Sequence, residues 1–470
     1  MANRIGVAEP ILSICIPTLN RAELLDDALQ GLRPEVVSLG DTVEVVVSDN
    51  GSSDATRDVL QRHSDWIRWD GIDRTISFTE NMLRVTCDLA RGQFVWLVGD
   101  DDLVIRGSIE RVVKSLNKLP DVAYHYLNFG WLQISQRKRI IQELDSTPPD
   151  SPLRGVWQCD EFGTRLLSRI EDLAFLPGKN PSALFSGMFC FAAHRELFIS
   201  ARQWLRPSEY FDGSSDVLDD CFPHPMITLP PMAGKPIVYI GQPCLLQGIG
   251  GQATNTVDYE LKNMILGNYQ LLTWLEGTEF AKDATERLWE SYYEMAGRLF
   301  YRMLNAPDQN KGREIVLDTV IPGIASQYGF WRALMSEAEL TFERDEEARI
   351  IVRLVEPLLE WAPSSRVGLW GVQGRGSRAV QLSPLLASRL VWAGDLDPRI
   401  EGEILQGTPL VVTSPETLRD ANLDILIIGT RSDVVPNVVF QASPLLRAGA
   451  IVASVKGLET TGNSGERTAL

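Results

Sequence analysis

Apolar positions between residues 11 and 122 come in short continuous runs separated by stretches with helical spacing. ILSICI (11–16), VEVVVS (43–48) and FVWLVG (94–99) read as buried strands, and a shorter strand is expected around Trp66 to Trp69. Helices are expected from about Ala22, from about Asp54 to His63 and from about Phe78 to Ala90. Strands that are apolar throughout and alternate with helices belong in a parallel sheet covered by helices on both faces.

The pattern then changes twice. Residues 145–154 are rich in Pro and Ser and are expected to form a loop. FSGMFCFAAHRELF (185–198) reads as a strand leading into a helix, and IVYI (237–240) as a strand, with Pro223, Pro225, Pro230 and Pro231 breaking up the region between. From about Asp258 to Trp361 the periodicity is helical, with Leu271, Leu272, Leu275, Leu288, Tyr292, Met295, Leu299 and Met303 on core-facing positions. The Trp and Tyr residues there read as helix core in preference to a sugar-stacking surface. At about Arg366 a third unit starts with VGLWGVQGRGS, a strand and a glycine-rich turn. LVWAGDL (390–396), PLVV (409–412), DILIIGT (424–430) and AIVASV (450–455) supply its further strands. The expected organisation is an α/β domain over 1–255, a helical region over 256–362, and a small α/β domain with a flexible tail over 363–470.

Composition narrows the function. The chain has 470 residues, 44% apolar and 23% charged, a globular profile with room for two or three cores. A net charge of -17 argues against broad nucleic-acid binding, which needs a basic face. The six cysteines form no CxxC pair, so reduced thiols in a cytoplasmic protein are expected, and no zinc site. MANRIGVAEP lacks the apolar core of a signal peptide, and no apolar run is long enough to span a bilayer. Membrane contact, at the inner face, is expected to be peripheral at most.

Three polar motifs fall at the C-terminal ends of three expected parallel strands, the edge where open α/β sheets bind ligands. The first is Pro17-Thr18-Leu19-Asn20-Arg21. The second runs from Ser48 through Asp49, Asn50 and Gly51 to Asp54. Asp49 leaves its strand as a carboxylate able to accept hydrogen bonds from a base N–H or a ribose hydroxyl. Gly51 permits a tight turn and Asp54 can cap the next helix, so a capped turn without a ligand is the competing reading. The third is Gly99-Asp100-Asp101-Asp102. Three adjacent carboxylates repel one another unless a cation or solvent compensates them. Mg²⁺ is commonly held by one or two carboxylates plus substrate phosphates. A solvated acidic turn opening a helix is the alternative.

SICIPTLNR, VVVSDNGSSDAT and FTENMLRVTCDLARGQFVWLVGDDDL together resemble a family 2 glycosyltransferase of the GT-A fold, similar to the sugar transferases of bacterial O-antigen and capsule assembly. The resemblance spans roughly residues 11–250. It implies metal-dependent transfer of a sugar from a nucleotide-diphosphate sugar to a glycan or lipid-linked acceptor, with inversion. It places Pro17, Thr18, Asn20, Arg21 and Asp49 on the nucleoside, Asp100 and Asp101 on the sugar-nucleotide, and Asp102 on Mg²⁺ or Mn²⁺. A common family form carries Asp where this chain has Gly99. The family's downstream acidic motif, source of the general base, maps onto Ser215 to Cys221, with Asp220 ahead of Asp219. His224 is a further candidate, weighed against a plain loop histidine.

Gly371, Gly374 and Gly376 form a turn able to approach a phosphate, though the spacing is not GxGxxG, which disfavours a dehydrogenase. Residues 366–457 resemble the Rossmann-like N-terminal domain of sugar O-acetyltransferases. No hexapeptide repeat follows, so a binding or assembly role is expected, with a homo-oligomer left open. The rival to an active transferase is a non-catalytic sugar-nucleotide-binding scaffold in a glycan-assembly complex.

Overall fold

The computed structural model describes residues 9–133, 137–138, 140–141, 157–178, 187–205, 222–249, 260–304, 318, 320–397, 399–461 and 467–469. The chain divides into two compact units, residues 1–134 with 139–334, and residues 135–138 with 335–470.

The first unit opens as the apolar runs dictate. β1 (Leu12–Thr18) and β2 (Val43–Asp49) are buried almost throughout, and α1 (Ala22–Leu39) connects them, setting Leu25, Leu29 and Leu32 into the core. α2 (Thr56–His63) leads to β3 (Arg68–Gly71), a strand displaced slightly from the tryptophan pair that predicted it. α3 (Phe78–Leu83) starts at Ser77, whose hydroxyl accepts the Glu80 N–H, and continues as a wider π-turn over Arg84–Leu89. β4 (Phe94–Leu97) is wholly buried.

β3, β2, β1 and β4 are parallel neighbours in that order. The parallel arrangement expected of residues 11–122 is present in these four strands, and beyond β4 the sheet becomes mixed. The sheet continues through β8 (Phe191–His194), β6 (Tyr124–Gln133), β9 (Ile237–Ile249) and β5 (Leu103–Val104), and β7 (Thr164–Leu167) also pairs with β9. β8 runs antiparallel to both β4 and β6. Apolar runs reveal burial on both faces but not the direction of a partner strand. α4 (Ser108–Lys118) packs along this half, its first turn held by Glu35, which accepts the Gly107 and Glu110 N–H groups at 3.0 and 2.7 Å.

After β8 comes α5 (Arg195–Ala201), as expected. Pro223, Pro225, Pro230 and Pro231 lie within a helix, α6 (Pro223–Met232), and do not break it up. Pro223 and Pro225 occupy the first turn, where backbone N–H groups have no intrahelical acceptor, and the other two sit in the last turn. α7 (Asn268–Glu276) and α8 (Lys282–Leu304) bury Leu271, Leu272, Leu275, Leu288 and Tyr292. Trp289 and Tyr293 stack beside Tyr292 and join the same core from partly buried positions, as helix packing demands.

α9 (Ile321–Ile324) precedes α10 (Tyr328–Trp361), which crosses from one unit to the other. The second unit has β10 (Val367–Trp370), α11 (Arg375–Leu382), α12 (Pro384–Arg389), β11 (Leu390–Gly394), α13 (Leu418–Ala421), β12 (Ile425–Ile428), α14 (Val435–Ala442), β13 (Ile451–Ser454), β14 (Gly457–Thr461) and β15 (Arg467–Ala469). Its sheet order is β11-β10-β12-β13-β14-β15, with the first four strands parallel. PLVV is not a strand. Its backbone folds against residues 402–405, with Val412 N–H on the Glu403 carbonyl at 2.8 Å and Leu410 accepting from Leu405 at 2.9 Å. The α/β class expected of both ends of the chain, and the helices between, are present.

No helix among the described residues is long and apolar enough to cross a membrane. Cys15, Cys159, Cys190 and Cys244 are buried free thiols and Cys87 is half-buried.

Candidate active site

The motifs after β1, β2 and β4 meet at one edge because their strands are adjacent and parallel. Thr18 and Asp49 are register partners at the ends of β1 and β2, and Asn50 N–H donates to the Thr18 carbonyl at 2.9 Å. On the other side of β1, Thr18 Oγ1 donates to Asp100 Oδ2 at 2.7 Å. Thr18 is thus the hinge between the second motif and the acidic turn.

The first two loops are stitched together. Asn20 sits at φ 54°, a conformation Asn tolerates better than most residues. Its N–H donates to Ser52 Oγ at 2.9 Å and its Oδ1 accepts the Ser53 N–H at 2.8 Å. Asp54 accepts the Ala22 N–H at 3.2 Å and the Thr56 N–H at 3.0 Å, so one carboxylate serves the first turns of both α1 and α2. Arg21 N–H donates to Thr56 Oγ1 at 3.1 Å. Pro17 lies buried within β1 opposite Ser48. Asn20 therefore works as a strut between the first two loops, and Pro17 as strand.

Asp49 has no exposed side-chain surface. Its Oδ1 accepts the Ser52 N–H at 3.0 Å and its Oδ2 accepts Arg57 Nε at 2.9 Å. The pairing holds the Arg57 guanidinium above its ordinary basicity. Arg57 Nη2 donates to the Ile72 carbonyl at 2.7 Å and lies 3.6 Å from Asp73. Gly71 makes room: a Cβ there would stand 3.2 Å from Asp49 Oδ2. The loop after β3 is pinned by Asn50, whose side chain both donates to and accepts from the Ile76 backbone at 2.9 Å.

In the acidic turn, Asp101 and Asp102 are 7% and 2% exposed. Asp102 Oδ2 accepts the Gly99 N–H at 2.8 Å, and its Oδ1 the Gly248 N–H at 3.2 Å. Burial, then the neighbouring Asp101 charge, push the Asp102 carboxyl up to about 8, despite the two backbone donors. Glycine is needed at the second contact, where the neighbouring atom is backbone. A Cβ on Gly99 would stand 2.8 Å from Asp102 Oδ2, and one on Gly248 would stand 2.4 Å from the Asp101 carbonyl oxygen.

This donor set suits a hard divalent cation in one respect, since it offers carboxylate oxygens, the ligands such ions take. Among the described residues no three His, Cys, Asp or Glu side chains gather closely enough to form an all-protein cage. The arrangement fits a cation held by one or two carboxylates with substrate phosphates completing its shell.

The structure thus brings Pro17, Thr18, Asn20, Arg21, Asp49, Asp100, Asp101 and Asp102 to one edge, with Asp49 and Asp102 turned inward onto backbone and guanidinium donors. Asp219 and Asp220 lie outside the described residues. His224 is helical and 3% exposed, packed near Phe191 and Phe222, so it is no loop histidine. Arg57 and Gly248 lie outside the motifs read from the sequence, and Asn50 and Ser52 fall inside the second motif without a role assigned to them. The only signal for Arg57 was its place in the first turn of the helix that follows Asp49.

A sequence model of the family described as Glycosyl transferase family 2 matches residues 13–149. The chain is 52% identical over 59 residues to a validoxylamine A glucosyltransferase of Streptomyces hygroscopicus subsp. jinggangensis, covering 13% of this chain and 14% of that protein. It is 30% identical over 112 residues to the GalNAc(5)-diNAcBac-PP-undecaprenol beta-1,3-glucosyltransferase of Campylobacter jejuni, covering 23% of this chain and 35% of that one. Among solved structures, a mannosyltransferase from Pyrobaculum calidifontis in complex with GDP-Man and Mn²⁺ is similar over 70% of this chain and 84% of its own, at 16% identity and a TM-score of 0.40. These matches to curated relatives span about a seventh and about a third of the relatives' lengths.

Proposed function

We propose that the first unit is a metal-dependent glycosyltransferase of the GT-A type, moving a sugar from a nucleotide-diphosphate donor to a glycan or lipid-linked acceptor. The observation that carries this reading is the Thr18–Asp100 hydrogen bond, which joins the strand-end motifs to the acidic turn at a single edge. The family match over residues 13–149 covers this same edge and supports it. The acceptor class follows from the relatives' names, and surface polysaccharide synthesis in the cytoplasm, at the inner membrane face, is the setting that suits it.

In this reading the loops after β1 and β2 hold the nucleoside, and Asp100 and Asp101 orient the sugar-nucleotide. Asp102 would hold Mg²⁺ or Mn²⁺, which when bound neutralises the departing diphosphate. Asp220, or Asp219 beside it, would take the proton from the acceptor hydroxyl as that oxygen attacks the anomeric carbon with inversion. The second unit serves binding or assembly.

Calorimetry with UDP, GDP, dTDP and CDP, each with Mn²⁺, tests the reading. One nucleotide is expected to bind in a Mn²⁺-dependent manner, and Asp102→Ala to abolish that dependence. Unchanged binding in the variant counts against the metal assignment.

A further inference from the structure

The acid after β2 does not face solvent; its partner does. Asp49 is fully covered and spends both oxygens inside the protein, one on the Ser52 N–H and one on Arg57 Nε. The Arg57 side chain is 44% exposed. An arginine that exposed usually samples many rotamers and forms ion pairs of little value. This one is fixed from two sides, by Asp49 at Nε and by the Ile72 carbonyl at Nη2. Its Nη1 has no partner among the described residues. Gly71 leaves the space in which this packing fits, with a would-be Cβ 3.6 Å from Nη2.

Its location matters as much as its rigidity. Asp49 and Ile72 end β2 and begin the loop after β3, whereas the acidic turn follows β4, on the far side of β1. Two strand spacings separate these places, about 10 Å, roughly the reach from a nucleoside to its diphosphate. A cation fixed at the nucleoside end has uncharged acceptor atoms of the base to meet, not phosphate.

The geometry points to Arg57 as the residue that reads the donor's base, donating from Nη1 to a ring carbonyl oxygen, with Asp49 acting as a positioning residue behind it. The inference rests on the donor-site reading above. It predicts preference for bases that carry a carbonyl (uracil, thymine, cytosine, guanine) over adenine, which carries none. Hydrogen bonds from charged donors imply an effect of about tenfold or more.

The experiment is calorimetric titration of the full chain with UDP, GDP, CDP and ADP in the presence of Mn²⁺. The wild type should bind at least one carbonyl-bearing nucleotide about tenfold more tightly than ADP. Arg57→Gln should collapse that ratio toward one, a readout that a purely structural role would not move. Asp49→Asn, nearly isosteric, should weaken the ratio, and adding it to Arg57→Gln should change nothing further. A ratio that survives Arg57→Gln overturns the inference. So does a double variant whose base preference differs from that of Arg57→Gln alone, since Asp49 would then touch the base itself. Failure of the wild type to bind any of the four nucleotides would instead sink the donor-site reading, and the inference with it.

Discussion

Polar residues in the first unit are buried where a partner waits for them, and two of them mark where protonation matters. Asp102 is one, and His125 is another, far simpler to test. His125 is fully buried on β6, edge-on to Phe94, with Nδ1 2.9 Å from Ser115 Oγ. Burial, aided by the nearby His194 charge, lowers its pKa from 6.5 to about 4. The folded state therefore holds fewer protons than the unfolded chain between those values. Stability supplied by the neutral ring is present above about pH 6.5 and is lost as pH falls through about 4, with a limiting slope of about 1.4 kcal/mol per pH unit. Denaturant midpoints measured from pH 4 to pH 7 should show this slope, and His125→Asn should flatten it. An unchanged slope in the variant would assign the acid sensitivity elsewhere.

At the scale of elements, one carboxylate couples two helices. Asp54 bonds the first turns of α1 and α2 at once, and each lost cap is worth about 1 kcal/mol. Asp54→Ala is expected to destabilise the first unit by about 2 kcal/mol and to loosen the loops at the ends of β1 and β2. Urea unfolding gives the first quantity, and amide exchange at Asn20, Arg21 and Ser53 gives the second. A loss confined to stability, with exchange unaltered, would separate the cap from the site. This element was half legible in the chain. Asp54 was readable as a cap for the helix after it, because Asp ahead of a helix has few other uses. Its bond to Ala22 was not, since that depends on β1 and β2 lying side by side. The same division runs through the site. Apolar runs ending at Ile16, Ser48 and Gly99 gave strand ends, and strand ends gave the edge. The inward turn of Asp49 and the rigidity of Arg57 depend on the Ile72 carbonyl, which no local pattern places. The antiparallel β8 escaped for a related reason: burial on both faces looks alike whichever way a neighbour runs.

The described residues form separate cores, a large one with a small satellite in the first unit and two in the second. Phe330, on the first turn of α10, is buried in the core of the first unit, while Ala348, Ile351, Val355 and Leu359 of the same helix belong to a core of the second. Separate cores favour separate unfolding transitions, because two-state behaviour is a property of single domains. A ligand then stabilises only the unit whose folded form it binds, by about 2.7 kcal/mol at a hundred times its dissociation constant. Scanning calorimetry of the full chain should resolve two transitions, and Mn²⁺ with the binding nucleotide should raise only one. Asp102→Ala should erase that rise and leave the other transition in place. A ligand that lifted both transitions together would mean that the two units melt as one cooperative body. A ligand that lifted only the transition belonging to residues 335–470 would move the nucleotide site out of the first unit altogether.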